Sequence, residues 1–432
     1  MNIRVSFLQI IFSFNLFLSG CASLPREPVP IKYINNAEVI GIPNVRSWAG
    51  EVTEHFQQDI IKSAEQERHH SLSRDEQGII KYAVLSLSGG AADGAFGAGF
   101  LNGWTRSGTR PEFKIVSGIS TGALIAPFAF LGTDYDNALK KVFTTVNTEN
   151  IFERLSITNL FTSEALTNTG PLKRLLKQYV TDDMIRQVAN VHDQGKRLYI
   201  GTANMDAQRP VVWNMGLIAK SNHPSAPQLF RDVMLASASI PAAFPPVYIN
   251  VEVNGEEYDE MHSDGGTFAQ VFFHGNTLDL KAAARATGFD KKKYPIEDLY
   301  IIRNGQQAPE PEHVERKLSK IAARAIETMI KASSHGDLHR IYVTALKQNI
   351  NYHYVDIPDV YKSEAKEAFD VEEMNRLYQL GYETGQQKDP WQKVPPGGLQ
   401  QYIEKQEHEK CMQVEMLQAG NCVTISEMWE LL

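Results

Sequence analysis

The 432-residue sequence predicts an α/β fold. Three passages predict it: YAVLSLSGGAADGAFGAGFLNGW from Tyr82, EFKIVSGISTGALIAPFAFLG from Glu112, and VYINVEVNGEEYDEMHS from Val247. The first opens with an apolar, partly β-branched run, passes a glycine-rich turn and resumes as a small-residue helix carrying Phe96, Phe100 and Leu101. The second repeats that order, with a strand from Phe113 to Val116 and an apolar helix from Ala123 to Leu131. The third is a hairpin, because Asn254-Gly255 is a strong turn signal between two β-rich runs. Composition agrees with a globular chain, at 43% hydrophobic and 22% charged residues. A net charge of −8 without any Lys/Arg-rich run argues against a nucleic-acid partner, which needs a basic footprint. The longest basic cluster, Lys291 to Lys293, reads as a solvated helix end or loop.

The N-terminus has the layout of a secretory signal over residues 1–20: one early cation at Arg4, an Ile/Phe/Leu-rich stretch, then small residues. Leu18-Ser19-Gly20-Cys21 resembles the lipobox of bacterial lipoproteins, in which the cysteine is lipidated and becomes the first residue. Ala22 in place of Asp resembles the outer-membrane sorting choice of Gram-negative lipoproteins, which implies a lipid-anchored envelope protein. A retained signal anchor is the alternative, since about 20 apolar residues span a bilayer. Pro25, Pro28, Pro30 and Pro43 mark residues 21–50 as a tether, and Val52, Phe56, Ile60 and Ile61 predict a helix between Glu51 and Arg68. The main domain is expected over 51–387, with its core at 78–305, and a helical C-terminal tail of unassigned role over 388–432. Cys411 and Cys422 in that tail are candidates for a disulfide in an oxidising compartment. Neither has Cys-X-X-Cys spacing and no His-Glu-X-X-His helix occurs, so no metal or cofactor site is readable.

The chemistry lies in three places. The turn Gly89-Gly90-Ala91-Ala92-Asp93-Gly94 gathers backbone N–H groups before a helix, which suits an anion or oxyanion. Gly94, Gly97 and Gly99 serve equally well for close helix packing. Neither the P-loop ending nor the dinucleotide Gly-X-Gly-X-X-Gly spacing is present. Gly118-Ile119-Ser120-Thr121-Gly122 is a Gly-X-Ser-X-Gly pentapeptide at a strand-to-helix turn, where small flanking residues let a strained serine lift its hydroxyl above the sheet. Asp264-Gly265-Gly266 follows the hairpin, and reads as a loop acid or a plain turn.

Taken in this order these elements resemble the patatin-like phospholipase family, and LASASIPAAFPPV from Leu235 to Val247 is similar to a segment those proteins carry before their Asp-Gly-Gly strand. The resemblance implies a three-layer α/β fold with a mostly parallel sheet flanked by helices. It also implies hydrolysis of phospholipid or other acyl-ester lipids by a Ser-Asp dyad, with Ser120 as nucleophile and Asp264 as base. Gly89, Gly90 and Ala91 would form the oxyanion hole, and no cofactor is implied. The family loop commonly reads Gly-Gly-Gly-X-Arg/Lys-Gly, so Ala91 and Asp93 are departures, and Ala91 can still donate its N–H if its φ is negative. A Ser-His-Asp triad through His262, His274, His335 or His339 is the catalytic alternative, and a non-catalytic lipid-binding lipoprotein is the other. The apolar segment Ile151 to Phe161 is expected as an interfacial lid or a surface-buried helix.

Overall fold

The computed structural model describes residues 25–67, 80–155, 163–273, 277–287 and 296–396. Its strands are β1 (Glu38–Val39), β2 (Arg46–Trp48), β3 (Lys81–Leu87), β4 (Phe113–Ile119), β5 (Glu153–Arg154), β6 (Thr167–Asn168), β7 (Arg197–Asn204), β8 (Arg209–Asn214), β9 (Val247–Val253), β10 (Glu256–Asp264), β11 (Ile296–Ile302) and β12 (Asn351–Val355). The main sheet runs β1-β9-β10-β7-β4-β3-β11-β12, with β8 also on β7 and β2 on β8. Strands β7, β4, β3, β11 and β12 are mutually parallel, and the hairpin β9-β10 adds antiparallel to β7. Parallel strands need helical crossovers that cover both faces, which is why β3 and β4 are mainly apolar and buried almost throughout.

One face is covered by α1 (Glu54–Gln66), α10 (Leu280–Ala286) and the C-terminal half of α11 (Leu318–Gln348), through Phe56, Ile60, Ala283, Leu338 and Ile341. The other is covered by α2 (Gly94–Arg106), α3 (Thr121–Leu131), α4 (Asp136–Thr145), α6 (Gly170–Tyr179), α7 (Asp182–Asp193), α9 (Ala226–Ser237) and α12 (Val371–Gly385). Short α5 (Thr148–Ile151) and α8 (Met215–Lys220) complete the α-helices of the described residues. Helix, sheet and helix make three layers, as expected.

The packing reading of the glycines in the first motif is realised. Helices α2 and α12 touch backbone to backbone: a Cβ on Gly99 would lie 2.0 Å from the Tyr378 carbonyl oxygen, and one on Gly381 2.1 Å from that of Phe96. That contact explains glycines in a helix interior, where they otherwise cost about 1 kcal/mol each.

Three expectations change. Residues 25–50 are no tether: β1 and β2 pair with β9 and β8, and Val29, Val39 and Val45 are buried. Pro30 caps a short 3-10 helix from Ile31 to Asn36, and apolar residues between the prolines pack inward. Trp391, beyond the expected domain end at 387, packs on Phe100, Trp104 and Tyr300, so the domain extends past it. A helix does not run on from Ile151: α5 ends there and β5 follows, while residues 156–162 lie outside the described residues. Cys21, Cys411, Cys422, His274, Lys291 to Lys293 and the tail after 396 also lie outside them.

Gly381→Ala is expected to destabilise the fold by about 1–3 kcal/mol, because the methyl group meets backbone that has no rotamer to yield. Denaturant unfolding checks this, and an unchanged midpoint would show that the helices can separate at no cost.

Candidate active site

Ser120 stands between β4 and α3 with φ 55° and ψ −125°, the strained geometry expected of a nucleophile elbow. The flanking glycines are obligatory there. A Cβ on Gly118 would lie 2.3 Å from the Gly122 carbonyl oxygen, and one on Gly122 2.3 Å from that of Leu87 at the end of β3. The elbow is therefore pressed against the start of the glycine-rich loop, and a Cβ on Gly89 would lie 3.6 Å from Ser120 Oγ.

Asp264 reaches the same point from the other side of β7. Ile119 pairs with Gly201, and Asp264 pairs with Thr202, so the ends of β4 and β10 stand level across one strand. Asp264 is the last residue of β10, not a loop residue as expected, and its N–H donates to the Ser239 carbonyl at 2.9 Å. Its Oδ1 accepts the Gly266 N–H at 2.7 Å. Burial pushes the Asp264 carboxyl up to about 7, against the opposing hydrogen bonds from the Ser120 hydroxyl and the Gly266 amide. A carboxyl titrating there is matched to proton transfer near neutral pH.

The loop over Ser120 differs from expectation in two respects. The Gly89 N–H donates to the Gln270 carbonyl at 3.2 Å and is not free for an oxyanion, whereas the N–H groups of Gly90 and Ala91 have no partner among the described residues. Ala91 has φ 48°, so it takes the positive-φ conformation of the glycine it replaces, at a cost of about 1 kcal/mol. Gly90, at φ 153°, passes Asn304 so closely that a Cβ would lie 2.0 Å from its carbonyl oxygen. Asn304, two residues beyond β11, clamps the loop: its N–H and Nδ2 donate to Ser88 Oγ and O at 2.8 and 2.9 Å, and Oδ1 accepts the Gly97 N–H at 3.1 Å. Half-buried Asp93, in the position of the family's cation, is pushed up to about 7 by burial and by Glu310, with Arg303 opposing.

The histidines are placed elsewhere. His262 is fully buried, with Nδ1 3.0 Å from Thr202 Oγ1 and Nε2 3.1 Å from Glu260, which is itself paired with Arg46. Its ring completes a structural ion-pair network and makes no bond to Ser120 or Asp264. His335 and His339 engage the carbonyls of Gln307 and His335. The geometry thus assembles two members of the serine-acid pair and no described histidine with them.

A further residue joins the site without a sequence motif of its own. Ser237, at the end of α9 and fully buried, donates through Oγ to the Gly201 carbonyl at 2.6 Å and accepts the Ser120 N–H at 3.0 Å. It ties the elbow to the strand separating it from Asp264. It lies in LASASIPAAFPPV, a segment that marked the region without distinguishing this serine. Gln270 is similar: besides holding Gly89, its Nε2 donates to the Gly266 carbonyl at 3.1 Å, linking the loop to the Asp-Gly-Gly turn. Beside Ser120 an apolar pocket of about 60 Å³ opens between Ala91 and Thr121 and runs past Phe143, Leu172 and Met234.

The family model of patatin-like phospholipases matches residues 85–275, an interval that begins in β3 and ends beyond the Asp-Gly-Gly turn. The chain carries a patatin-like phospholipase domain. The elbow, acid turn and glycine-rich loop all lie within the matched interval. None of the curated proteins compared matches the chain. Among solved structures, VipD from Legionella pneumophila is similar at 13% identity and TM-score 0.35, over 73% of this chain and 69% of that one. The type III effector ExoU of Pseudomonas aeruginosa is similar at 12% and 0.32, over 74% and 56%, and human GIVD cytosolic phospholipase A2 at 10% and 0.35, over 81% and 64%. The chain therefore spans less than two thirds of the latter two.

Two outcomes follow for this patatin-like site. Ester hydrolysis is expected to rise about tenfold per pH unit below about 7 and to level off above it, as Asp264 ionises. Asp93→Asn leaves that midpoint in place, and a midpoint that moves with Asp93 would transfer the titration to the loop. Ser237→Ala is expected to lower kcat about tenfold with little change in KM, because a buried N–H loses its acceptor at the elbow while the pocket is untouched.

Proposed function

We propose that the protein is a serine lipid acyl hydrolase of phospholipase A type that works through a Ser120-Asp264 dyad. The observation that carries this reading is the pairing of a strained, glycine-flanked Ser120 with a buried Asp264 whose carboxyl titrates near neutral pH. Asp264 takes the Ser120 proton as Oγ attacks the acyl carbonyl. The tetrahedral oxyanion turns toward the unpartnered N–H groups of Gly90 and Ala91, and one such donor is typically worth about 3–4 kcal/mol of barrier. Collapse expels the alcohol, which takes a proton from Asp264, and leaves an acyl-Ser120 ester. Water, deprotonated by Asp264, then releases the fatty acid. The pocket from Ala91 and Thr121 toward Leu172 receives the acyl chain, since it offers almost no polar surface.

The lipobox-like Leu18-Ser19-Gly20-Cys21 supports a membrane location for this activity. With Cys21 lipidated, the domain acts from a bacterial envelope membrane, with the outer membrane as its proposed site.

Fluorophosphonate labelling and fatty-acid release from phospholipid vesicles test the proposal together. Labelling is expected to vanish in Ser120→Ala, and acyl release to fall about a hundredfold or more in Asp264→Asn. A folded wild type that binds vesicles but neither labels nor releases fatty acid would make the protein a lipid-binding lipoprotein instead.

A further inference from the structure

Helix α11 joins two parallel neighbours, β11 and β12, so it runs against them and begins at their C-terminal ends, the edge from which Ser120 and the glycine-rich loop project. It packs on the sheet only from Ser334 onward. Residues 318–333, about 24 Å of helix, extend past that edge with none of their described side chains buried. Leu318 is 85% exposed, Ile321 53% and Met329 63%, and these three fall on one side of the helix with Ala322 and Ala325. Lys320 and Arg324 stand on the opposite side, and Arg316 and Lys320 have no ion pair among the described residues. The arm is braced at the site: Arg324 donates to the Glu310 carbonyl and Lys331 pairs with Glu310 at 2.8 Å, within the loop that starts at Asn304.

The same edge bears two more bare apolar side chains on separate elements. Val360, 87% exposed, lies in the loop after β12, which the Gln306 side chain ties to Tyr361 at 2.8 Å. Leu166, also exposed, is held by its N–H on the Ala242 carbonyl, in the segment running past Asp264. Apolar side chains from three elements thus ring the opening, and a partner that wets them together must be a broad apolar surface rather than a single helix. No helix among the described residues is long and apolar enough to cross a bilayer.

We infer that this ring, led by the exposed arm of α11, seats the active-site edge on a lipid bilayer that contains anionic lipid. The apolar side chains enter the acyl boundary and the unpaired Arg316 and Lys320 meet the headgroups, while Arg324 stays paired with Glu312 and Glu327. This rests on the acyl-hydrolase reading only for its purpose, not for its geometry.

The test uses the chain from residue 22 onward, so that neither a lipidated Cys21 nor the apolar residues 1–20 contributes, and vesicles of phosphatidylethanolamine and phosphatidylglycerol. Combined Leu318→Asp, Ile321→Asp and Met329→Asp should weaken vesicle binding at least about tenfold and leave hydrolysis of a soluble short-chain ester unchanged. Val360→Asp, on a different loop, should weaken binding several-fold by itself. Unchanged vesicle affinity in both variants overturns the inference. So does loss of a wild-type dimer in the arm variant with vesicle affinity intact, which would assign the stripe to a second copy. A wild type that binds vesicles through the arm but hydrolyses no ester leaves this surface standing and removes the acyl-hydrolase reading alone.

Discussion

The backbone at Ser120 is the constraint on which the rest of the site depends. A residue with φ 55° between a strand and a helix survives only where its surroundings leave it no alternative, and here they do so through missing side chains. Gly118 and Gly122 let the first turn of α3 touch both its own strand and the end of β3. That contact brings the loop beginning at Gly89 over the serine, and Ser237 fastens the elbow to Gly201 on the next strand. Loop, nucleophile and acid meet because three strand ends are drawn to one point.

Burial has opposite consequences for the charged groups inside this fold. Asp59 is buried, but hydrogen bonds from His192 and Arg197 hold its carboxyl far below the usual range. Glu260 is kept low in the same manner by Arg46 and His262. Those groups are paired, and their replacement by matched apolar residues would cost little. Asp264 is buried with no cation beside it, only a hydroxyl and an amide, so desolvation prevails and its carboxyl moves to the neutral range. His262 and Asp264 are two residues apart on one strand and have contrary roles for that reason: one closes an ion-pair network, the other is left able to change its charge.

The glycine-rich stretch from Gly89 to Gly103 combines two demands. Its first residues need unusual backbone angles above the serine, and its later ones need the absence of a side chain where α2 meets α12. Ala91 stands in a positive-φ position in the loop, and Asp93 stands where the family commonly has a cation. The loop's course is held from outside, by Asn304 and Gln270.

Local sequence determined much of this protein. Alternation, turn residues and small residues around Ser120 are short-range signals, so the strand-turn-helix units, the hairpin at Asn254-Gly255 and the residues Ser120 and Asp264 were legible from the chain alone. Prolines misled over residues 25–50, because a short edge strand and a tether share that composition, and only pairing with β8 and β9 separates them. What the tertiary structure decided was which atoms are left free. That Gly89 is occupied and Gly90 and Ala91 are not depends on Gln270, 181 positions away in the chain. That His262 is structural depends on Arg46 and Thr202, and that Ser237 supports the elbow depends on the register of β4 against β7. Hydrogen-bond satisfaction and desolvation are properties of neighbours in space, and no spacing along a chain encodes them.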